Sequence, residues 1–376
     1  MSAERKLRVG VLFGGRSSEH EVSLMSARSV LGALDPEKYE VVQIGISKEG
    51  RWLVASDAVE RLIERAEAAG ALEGEPPSTE TVALLPDPGR GGRLLRPGER
   101  TPADLAPLDV LFPLVHGQTG EDGALQGLFE LAGVAYVGAG ITGSAVGMDK
   151  EIAKAVWSAA GLPVGDYQVI RRTDWERDPA RVKGEVAARL GFPCFVKPAN
   201  CGSSIGVHKA HSMEELGPAV EDAAGYDPKV LVEKAIVGRE LECAVLGNED
   251  PRASVVGEIV PGHEFYDYED KYFDDAVRLV IPVELPEETA VRVRELAVAA
   301  FRAIDARGMA RVDFFLEAGT DRVVLNEINT IPGFTRMSMY PRLWEATGVP
   351  FPELCDRLIR LAVEARVERA ALKRTR

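Results

Sequence analysis

The chain has 376 residues, 45% of them hydrophobic, and a formal net charge of -14. That length exceeds what one core usually serves, so two or three domains are expected. An acidic chain with no basic block before its C-terminal tail argues against nucleic-acid and membrane-surface partners and in favour of small substrates. No apolar run is long enough to span a bilayer and Met1 to Arg8 lacks a signal-peptide core, so a cytoplasmic location is expected. The four cysteines form no C-x-x-C pair, which speaks against disulfides and a zinc site.

Leu7 to Phe13 reads as a strand closed by Gly14-Gly15, with Ser17-Ser18 as N-caps of a helix running to about Leu34. Strands are expected at Tyr39 to Ile46 and Asp109 to Val115, and a helix from about Asp122 to Leu131 ended by Gly133. Alternating β and α elements imply a parallel sheet. Ser56 to Pro107, rich in Ala, Glu, Pro and Gly, reads as a variable surface excursion with a weak helix at Ala58 to Ala69. A helix from Lys150 to Ala160 opens a compact α+β unit. Its strands are Tyr167 to Ile170, Cys194 to Val196, Gly206 to His208 and Val230 to Glu233, and its helices Pro179 to Leu190 and Ser212 to Ala224. Strands then follow at Glu240 to Leu246, Ser254 to Val260 and Arg278 to Pro282, a helix at Glu287 to Ala306, and a last helix from Pro352 to about Lys373.

Between those last two helices the chain spells Arg311-Val312-Asp313 and then Asn326-Glu327-Ile328-Asn329 in apolar, β-branched context. Ala310 to Leu316 and Arg322 to Ile328 therefore read as a hairpin turning at Ala318-Gly319-Thr320-Asp321. Side chains alternate along a strand, so Glu327 and Asn329 share a face that Asp313 meets from its partner strand. Two carboxylates and an amide suit a hard divalent cation, Mg²⁺ above all, with positions left for phosphates.

Phe195-Val196-Lys197-Pro198 runs into Ala199-Asn200-Cys201-Gly202-Ser203-Ser204-Ile205-Gly206, a turn whose amides can close over phosphate oxygens with Lys197 at its root. It is not a Walker loop, because the lysine comes first and no helix follows. Gly202 to Gly206 also matches G-x-S-x-G, the elbow of a serine hydrolase with Ser204 as nucleophile. That reading is weaker, since it needs a strand-to-helix turn and gives the carboxylate hairpin no role. Lys150 is a second candidate phosphate ligand. Glu264 to Phe273 gathers five aromatic residues in a connecting segment, as a lid would.

Taken in order, six segments resemble the D-alanine-D-alanine ligases, which are ATP-grasp enzymes: Gly14-Gly15-Arg16-Ser17-Ser18-Glu19, His116 to Gly123, Met148-Asp149-Lys150, Lys197 to Gly206, the aromatic segment, and Asn326 to Thr335. The resemblance spans about the first 345 residues. It implies an ATP-grasp fold preceded by a parallel-sheet, Rossmann-like domain, with units at 1–140, 141–235 and 236–376. The implied reaction joins two D-alanine molecules through an acyl phosphate at the expense of ATP, for peptidoglycan precursors. Related ligases take D-lactate or D-serine as acceptor. The resemblance further implies two Mg²⁺ (or Mn²⁺) ions on Asp313, Glu327 and Asn329, and a homodimer. Lys150, Lys197, Ser203 and Ser204 would hold the phosphates; Glu233, Lys234, Ile236 and Glu240 the adenine and ribose, with Asn326 nearby. Glu19 would pair with the first ammonium, His116 would lie beside the reacting groups, and Arg311 and the Gly333 amide would steady the oxyanion. Ser338 would take the second carboxylate, and Lys271 would close on the phosphates. Tyr272 would tie the lid to Ser203 and Glu19, so that Tyr272→Phe would let D-lactate compete. Three features depart from the pattern: Cys201 in the phosphate loop, the long excursion, and Met339 where leucine is common.

Overall fold

Leu7–Gly14 (β1) is apolar on both faces, and it is buried on both: Val9, Val11 and Phe13 enter one core and Leu12 another, as expected of a central strand covered on two sides. The computed structural model describes residues 5–67, 81–96, 106–260 and 278–373. Helix α1 (His20–Leu31) lays Leu24, Ala27 and Val30 on the first of those cores. Then come β2 (Tyr39–Ile46), β3 (Trp52–Val54), α2 (Ala58–Glu67), the short hairpin strands β4 (Ala83–Leu84) and β5 (Leu94–Leu95), β6 (Val110–Pro113), α3 (Ala124–Ala132) and β7 (Ala135–Tyr136). The first sheet has the order β3-β2-β1-β6-β7, parallel except for β3, an antiparallel edge strand the sequence reading missed.

Two expectations are corrected here. The segment 56–107 is not a surface excursion throughout, because Val82, Leu84 and Leu94 are buried with Phe129 and Tyr136 in the second core. Ser17 and Ser18 do not cap α1. Glu19 stands at the N-cap position, and the Ser17 hydroxyl instead accepts the Glu19 N–H at 3.0 Å.

Helix α4 (Gly140–Met148) occupies a glycine-rich stretch that reads poorly as helix. Added Cβ atoms at Gly143 and Gly147 would meet the Ala306 backbone at 2.8 Å and Thr330 at 3.1 Å, so close packing accounts for both glycines. After α5 (Lys150–Ala159), the second sheet forms from β8 (Tyr167–Arg171), β9 (Cys194–Pro198), β10 (His208–Ala210) and β11 (Lys229–Lys234), in the antiparallel order β10-β9-β11-β8. Strand β10 begins two residues later than expected, because Ser204 to Val207 still belong to a turn. Helices α6 (Arg172–Arg177), α7 (Pro179–Arg189) and α8 (Met213–Tyr226) cover one face through Trp175, Val182, Val186, Leu216 and Val220.

The third sheet, order β14-β13-β12-β15-β16, is antiparallel and comprises β12 (Gly238–Gly247), β13 (Arg252–Val260), β14 (Arg278–Val280), β15 (Gly308–Glu317) and β16 (Val323–Asn329). One face packs on the Glu287–Ala303 helix and on Trp157 of α5, which is fully buried and donates to the Ala300 carbonyl at 3.1 Å. The other face shares a core with the first sheet through the helices Met339–Ala346 and Phe351–Ala371. Phe334 is the pin of that core, with ring centroids 5.5 to 5.8 Å from Phe112, Tyr340 and Phe351. Such pairs contribute roughly 0.5 to 1.5 kcal/mol each beyond burial. They fix the loop next to Gly333.

Candidate active site

The first and second sheets meet at Glu19. Its carboxylate, buried at the start of α1, accepts a hydrogen bond from the Ser203 hydroxyl across 184 positions of chain. Two glycines make room for it: an added Cβ would lie 2.5 Å from Glu19 Oε2 at Gly117 and 2.8 Å at Gly202. Ser203 and Ser204 both sit in the left-handed region, at φ 47° and 57°. Two consecutive non-glycine residues there store strain of roughly 1 to 2 kcal/mol each, a cost that loops usually carry at functional sites. The loop is braced on both sides. Asn200 gives its backbone and side-chain N–H groups to Asp227 Oδ2 at 2.9 and 2.8 Å, and Lys150 Nζ donates to the Cys201 carbonyl at 2.7 Å. Because this turn joins strand to strand, it lacks the strand-to-helix geometry a serine-hydrolase elbow needs, and the nucleophile reading of Ser204 is set aside.

Lys150 also lies 3.5 Å from Glu327, so one ammonium touches both the loop and the carboxylate hairpin. On that hairpin Asp313 faces Glu327 directly, and Asn329 Nδ2 reaches Asp313 Oδ2 at 2.9 Å. The expected trio is therefore assembled. Arg311 grips both oxygens of Asp313 at 2.7 Å and reaches Glu242 at 3.0 Å. Among the described residues no group of three or more His, Cys, Asp or Glu side chains is arranged to hold a metal. Two facing carboxylates and an amide nonetheless form the sparse oxygen set that Mg²⁺ takes when substrate phosphates complete its shell.

At the other end of the cleft, Glu233 is shared by two lysines: Lys154 at 2.7 Å on Oε1, and Lys197 on Oε2. Burial alone would raise the Glu233 pKa, but the two ammonium groups hold it down at about 2. Burial, reinforced by repulsion from Lys197, pushes Lys154 down despite Glu233, whereas Glu233 and Glu327 raise Lys197 against its burial. Lys234 is exposed with its N–H on the Asp166 carbonyl, and Ile236 Cδ1 would lie 3.3 Å from a Cβ at Gly165. Glu240 stands on β12 beside Phe315, within electrostatic reach of Lys197. Since the folded-state pKa of Glu233 lies below its ordinary 4.5, the ion pairs contribute stability above pH 4.5 that is lost as pH falls toward 2, on the order of 3 kcal/mol. Denaturation free energies from pH 6 to 2 should fall more steeply for wild type than for Glu233→Gln. Parallel curves would rule out this source of acid sensitivity.

His116 is buried behind the hairpin. Its Nδ1 donates to the Ile331 carbonyl at 2.8 Å, which leaves Nε2 to accept from Ser26 Oγ at 3.0 Å, and burial pushes its pKa down. Glu121 accepts the Gly117 N–H at 2.9 Å and the Ile331 N–H at 2.5 Å, and burial together with nearby Glu19 lifts its pKa to about 8. These bonds join the His116 loop to the Gly333 loop. Gly333 abuts Ser338, whose hydroxyl an added Cβ would meet at 3.1 Å; Ser338 Oγ accepts the Thr335 N–H at 3.1 Å. Met339 does not lie open to a substrate pocket: it is 4% exposed, with its sulfur against Gly257 in the core.

Lys271, Tyr272 and the rest of the aromatic segment lie outside the described residues. Sequence reasoning missed Lys154, Glu242, Glu121 and Ser26. Lys154 follows Lys150 by one helical turn and Glu242 follows Glu240 by one strand repeat, so both were within reach of periodicity. Burial pushes the Cys201 thiol up, and the pull of Lys150 toward thiolate does not overcome it. Alkylation of Cys201 should therefore be slow at neutral pH and accelerate above pH 9, and Mg-ADP should protect it. Mass-spectrometric labelling with and without nucleotide checks both points; equal labelling would place Cys201 away from the nucleotide.

A glycine-serine loop on one small sheet and a carboxylate hairpin on a second, bridged by one lysine, define an ATP-grasp fold. Family models described as D-ala D-ala ligase N-terminus and C-terminus match residues 8–139 and 156–360. The D-alanine--D-alanine ligase of Acetivibrio thermocellus is 48% identical, with 96% of each chain covered. That of Streptomyces griseus is 50% identical, covering 96% of this chain and 93% of its own. Among solved structures, the D-alanine-D-alanine ligase from Coxiella burnetii superposes with a TM-score of 0.82 at 36% identity, covering 97% and 96% of the two chains. The VanG D-Ala:D-Ser ligase from Enterococcus faecalis has the same TM-score at 34% identity, covering 95% and 100%. The chain belongs to the D-alanine-D-alanine ligase family.

Proposed function

We propose that this chain makes D-alanyl-D-alanine from two D-alanine molecules and ATP, in the cytoplasm, for peptidoglycan synthesis. The observation that carries the reading is the Glu19–Ser203 hydrogen bond. It sets a carboxylate suited to an ammonium against the loop suited to phosphate, so an amino acid and a nucleotide would meet there. Glu19 takes the first D-alanine's ammonium, and that substrate's carboxylate oxygen attacks the γ-phosphorus as the bond to ADP breaks. Lys150, Lys197 and the Ser203 and Ser204 amides share the charge of the transferring group. The second D-alanine, held by Ser338 through its carboxylate, then attacks the acyl carbon with its neutral amine. Arg311 and the Gly333 amide stabilise the oxyanion until phosphate leaves. His116, neutral and tied to Ser26 and Ile331, holds the Gly333 loop in place. Glu233, Lys234, Ile236, Glu240 and Asn326 line the base and ribose end.

Asp313, Glu327 and Asn329 would hold Mg²⁺ (or Mn²⁺), two ions by family resemblance, which neutralises phosphate charge when bound. Lys271 and Tyr272 belong to the proposed lid, and a homodimer is the proposed assembly. The division into units at 1–140, 141–235 and 236–376 is supported by the three larger sheets, one of which lies within each. No described helix is long and apolar enough to cross a membrane.

A D-serine or D-lactate acceptor is the second reading, and the VanG neighbour favours keeping D-serine in view. Phosphate release from ATP should require D-alanine, and mass spectrometry should find the dipeptide dominant when D-alanine, D-serine and D-lactate compete. A dominant D-alanyl-D-serine or ester product would overturn the acceptor assignment; release without D-alanine would overturn the ligase.

A further inference from the structure

One turn beyond Lys150 on α5, Lys154 has no task in the reaction just described. It is 2% exposed, with its ammonium on Glu233 Oε1 at 2.7 Å and on the Asn326 carbonyl at 3.0 Å. Taking an ammonium out of water costs several kcal/mol even when it is paired, and a methionine of similar length would avoid that cost. Neutralising Glu233 does not require it either, because Lys197 already holds the other carboxylate oxygen. What the second lysine adds is orientation. With a cation on each oxygen from two different elements, β9 and α5, the carboxylate cannot turn, and its remaining lone pairs point one way. The Asn326 carbonyl ties the same ammonium to β16, one residue before Glu327. A single side chain thus sets the base end of the cleft relative to the phosphate end.

Resting on the reading of Glu233 as a base-contacting residue, we propose that Lys154 is the positioning residue that sets purine selectivity. It fixes Glu233 as an acceptor-only carboxylate. Such a group receives the amino group of a 6-aminopurine and repels the carbonyl oxygen that a 6-oxopurine carries at the same place. A hydrogen bond to a charged group is worth enough to discriminate, whereas two facing acceptors leave both unsatisfied.

The test compares kcat/KM for ATP and for inosine triphosphate in wild type, Lys154→Met, Glu233→Gln and the double variant. Wild type should prefer ATP, and Lys154→Met should shrink the ATP-to-ITP ratio by about tenfold or more. The double variant, which leaves no lone buried carboxylate to unfold the protein, should have the same ratio as Glu233→Gln alone if Lys154 acts through Glu233. Three results would overturn the proposal. A wild-type ratio in Lys154→Met beside a lowered one in Glu233→Gln confines Lys154 to stability. A further tenfold fall in the double variant means it acts independently of Glu233. A wild-type ratio in Glu233→Gln removes the base-contact reading itself, and this inference with it.

Discussion

Arg311→Met is expected to lower turnover by about a hundredfold to a thousandfold and to destabilise the fold as well. The first effect follows from the role proposed for the guanidinium at the oxyanion, where removal of one well-placed donor has that size in other acyl-transfer sites. The second follows from the contacts. Arg311 stands between Glu242 and Asp313, register partners on β12 and β15 whose side chains are 5% and 11% exposed. Without it two facing carboxylates share a nearly dry site, and breaking a buried pair by removing one partner costs about 3 to 5 kcal/mol. The two effects separate in a second variant. Arg311→Met with Glu242→Gln removes the repulsion, so most of the stability should return while turnover stays low. If turnover returns with stability, Arg311 is a structural brace and the oxyanion role is wrong.

That dual role also marks where sequence reading stopped. The hairpin and the three oxygen-bearing side chains it brings together were legible because strand alternation is a strict period of two and Asp313, Glu327 and Asn329 obey it. The cross-chain partners were not. Nothing in the order of residues says that β12 lies beside β15, so Glu242 beside Asp313 emerges only once the sheet is assembled. The same holds for Glu121, which sits inside a segment already quoted for its likeness to the ligases, yet finds its partner 210 positions away at Ile331.

Long, regular elements were read well and irregular ones poorly, for physical reasons. Tyr39–Ile46 and the Glu287–Ala303 helix carry their own periodicity. Helix α4 does not: its sequence GITGSAVGM is weak helix by propensity and holds only because its glycines let it nest against Ala306 and Thr330. In the same way β3 to β5 are too short to show a pattern and are held in place by the core they cover. Tertiary burial overrode local signal in each case.

Glu327→Gln should cut turnover by about a hundredfold or more while leaving the fold intact. The substitution keeps shape and hydrogen-bonding reach but removes one of the two negative charges that face each other on the hairpin. Mg²⁺ is a hard cation that binds through charge and oxygen geometry together, and it is held by few protein groups, so losing one of two carboxylates weakens the site more than a neutral amide can repair. Structural damage should be small. The 3.5 Å ion pair with Lys150 is weakened, and with Glu327 25% exposed such a partly solvated pair contributes about 1 kcal/mol or less. Two measurements separate the explanations. A Mn²⁺ titration followed by electron paramagnetic resonance, in the presence of ADP and without turnover, should show weaker binding in the variant than in wild type. Turnover should partly recover as Mg²⁺ is raised well above the wild-type requirement. Wild-type Mn²⁺ affinity together with normal turnover at ordinary Mg²⁺ would remove Glu327 from the metal site and leave it as a partner of the neighbouring cations.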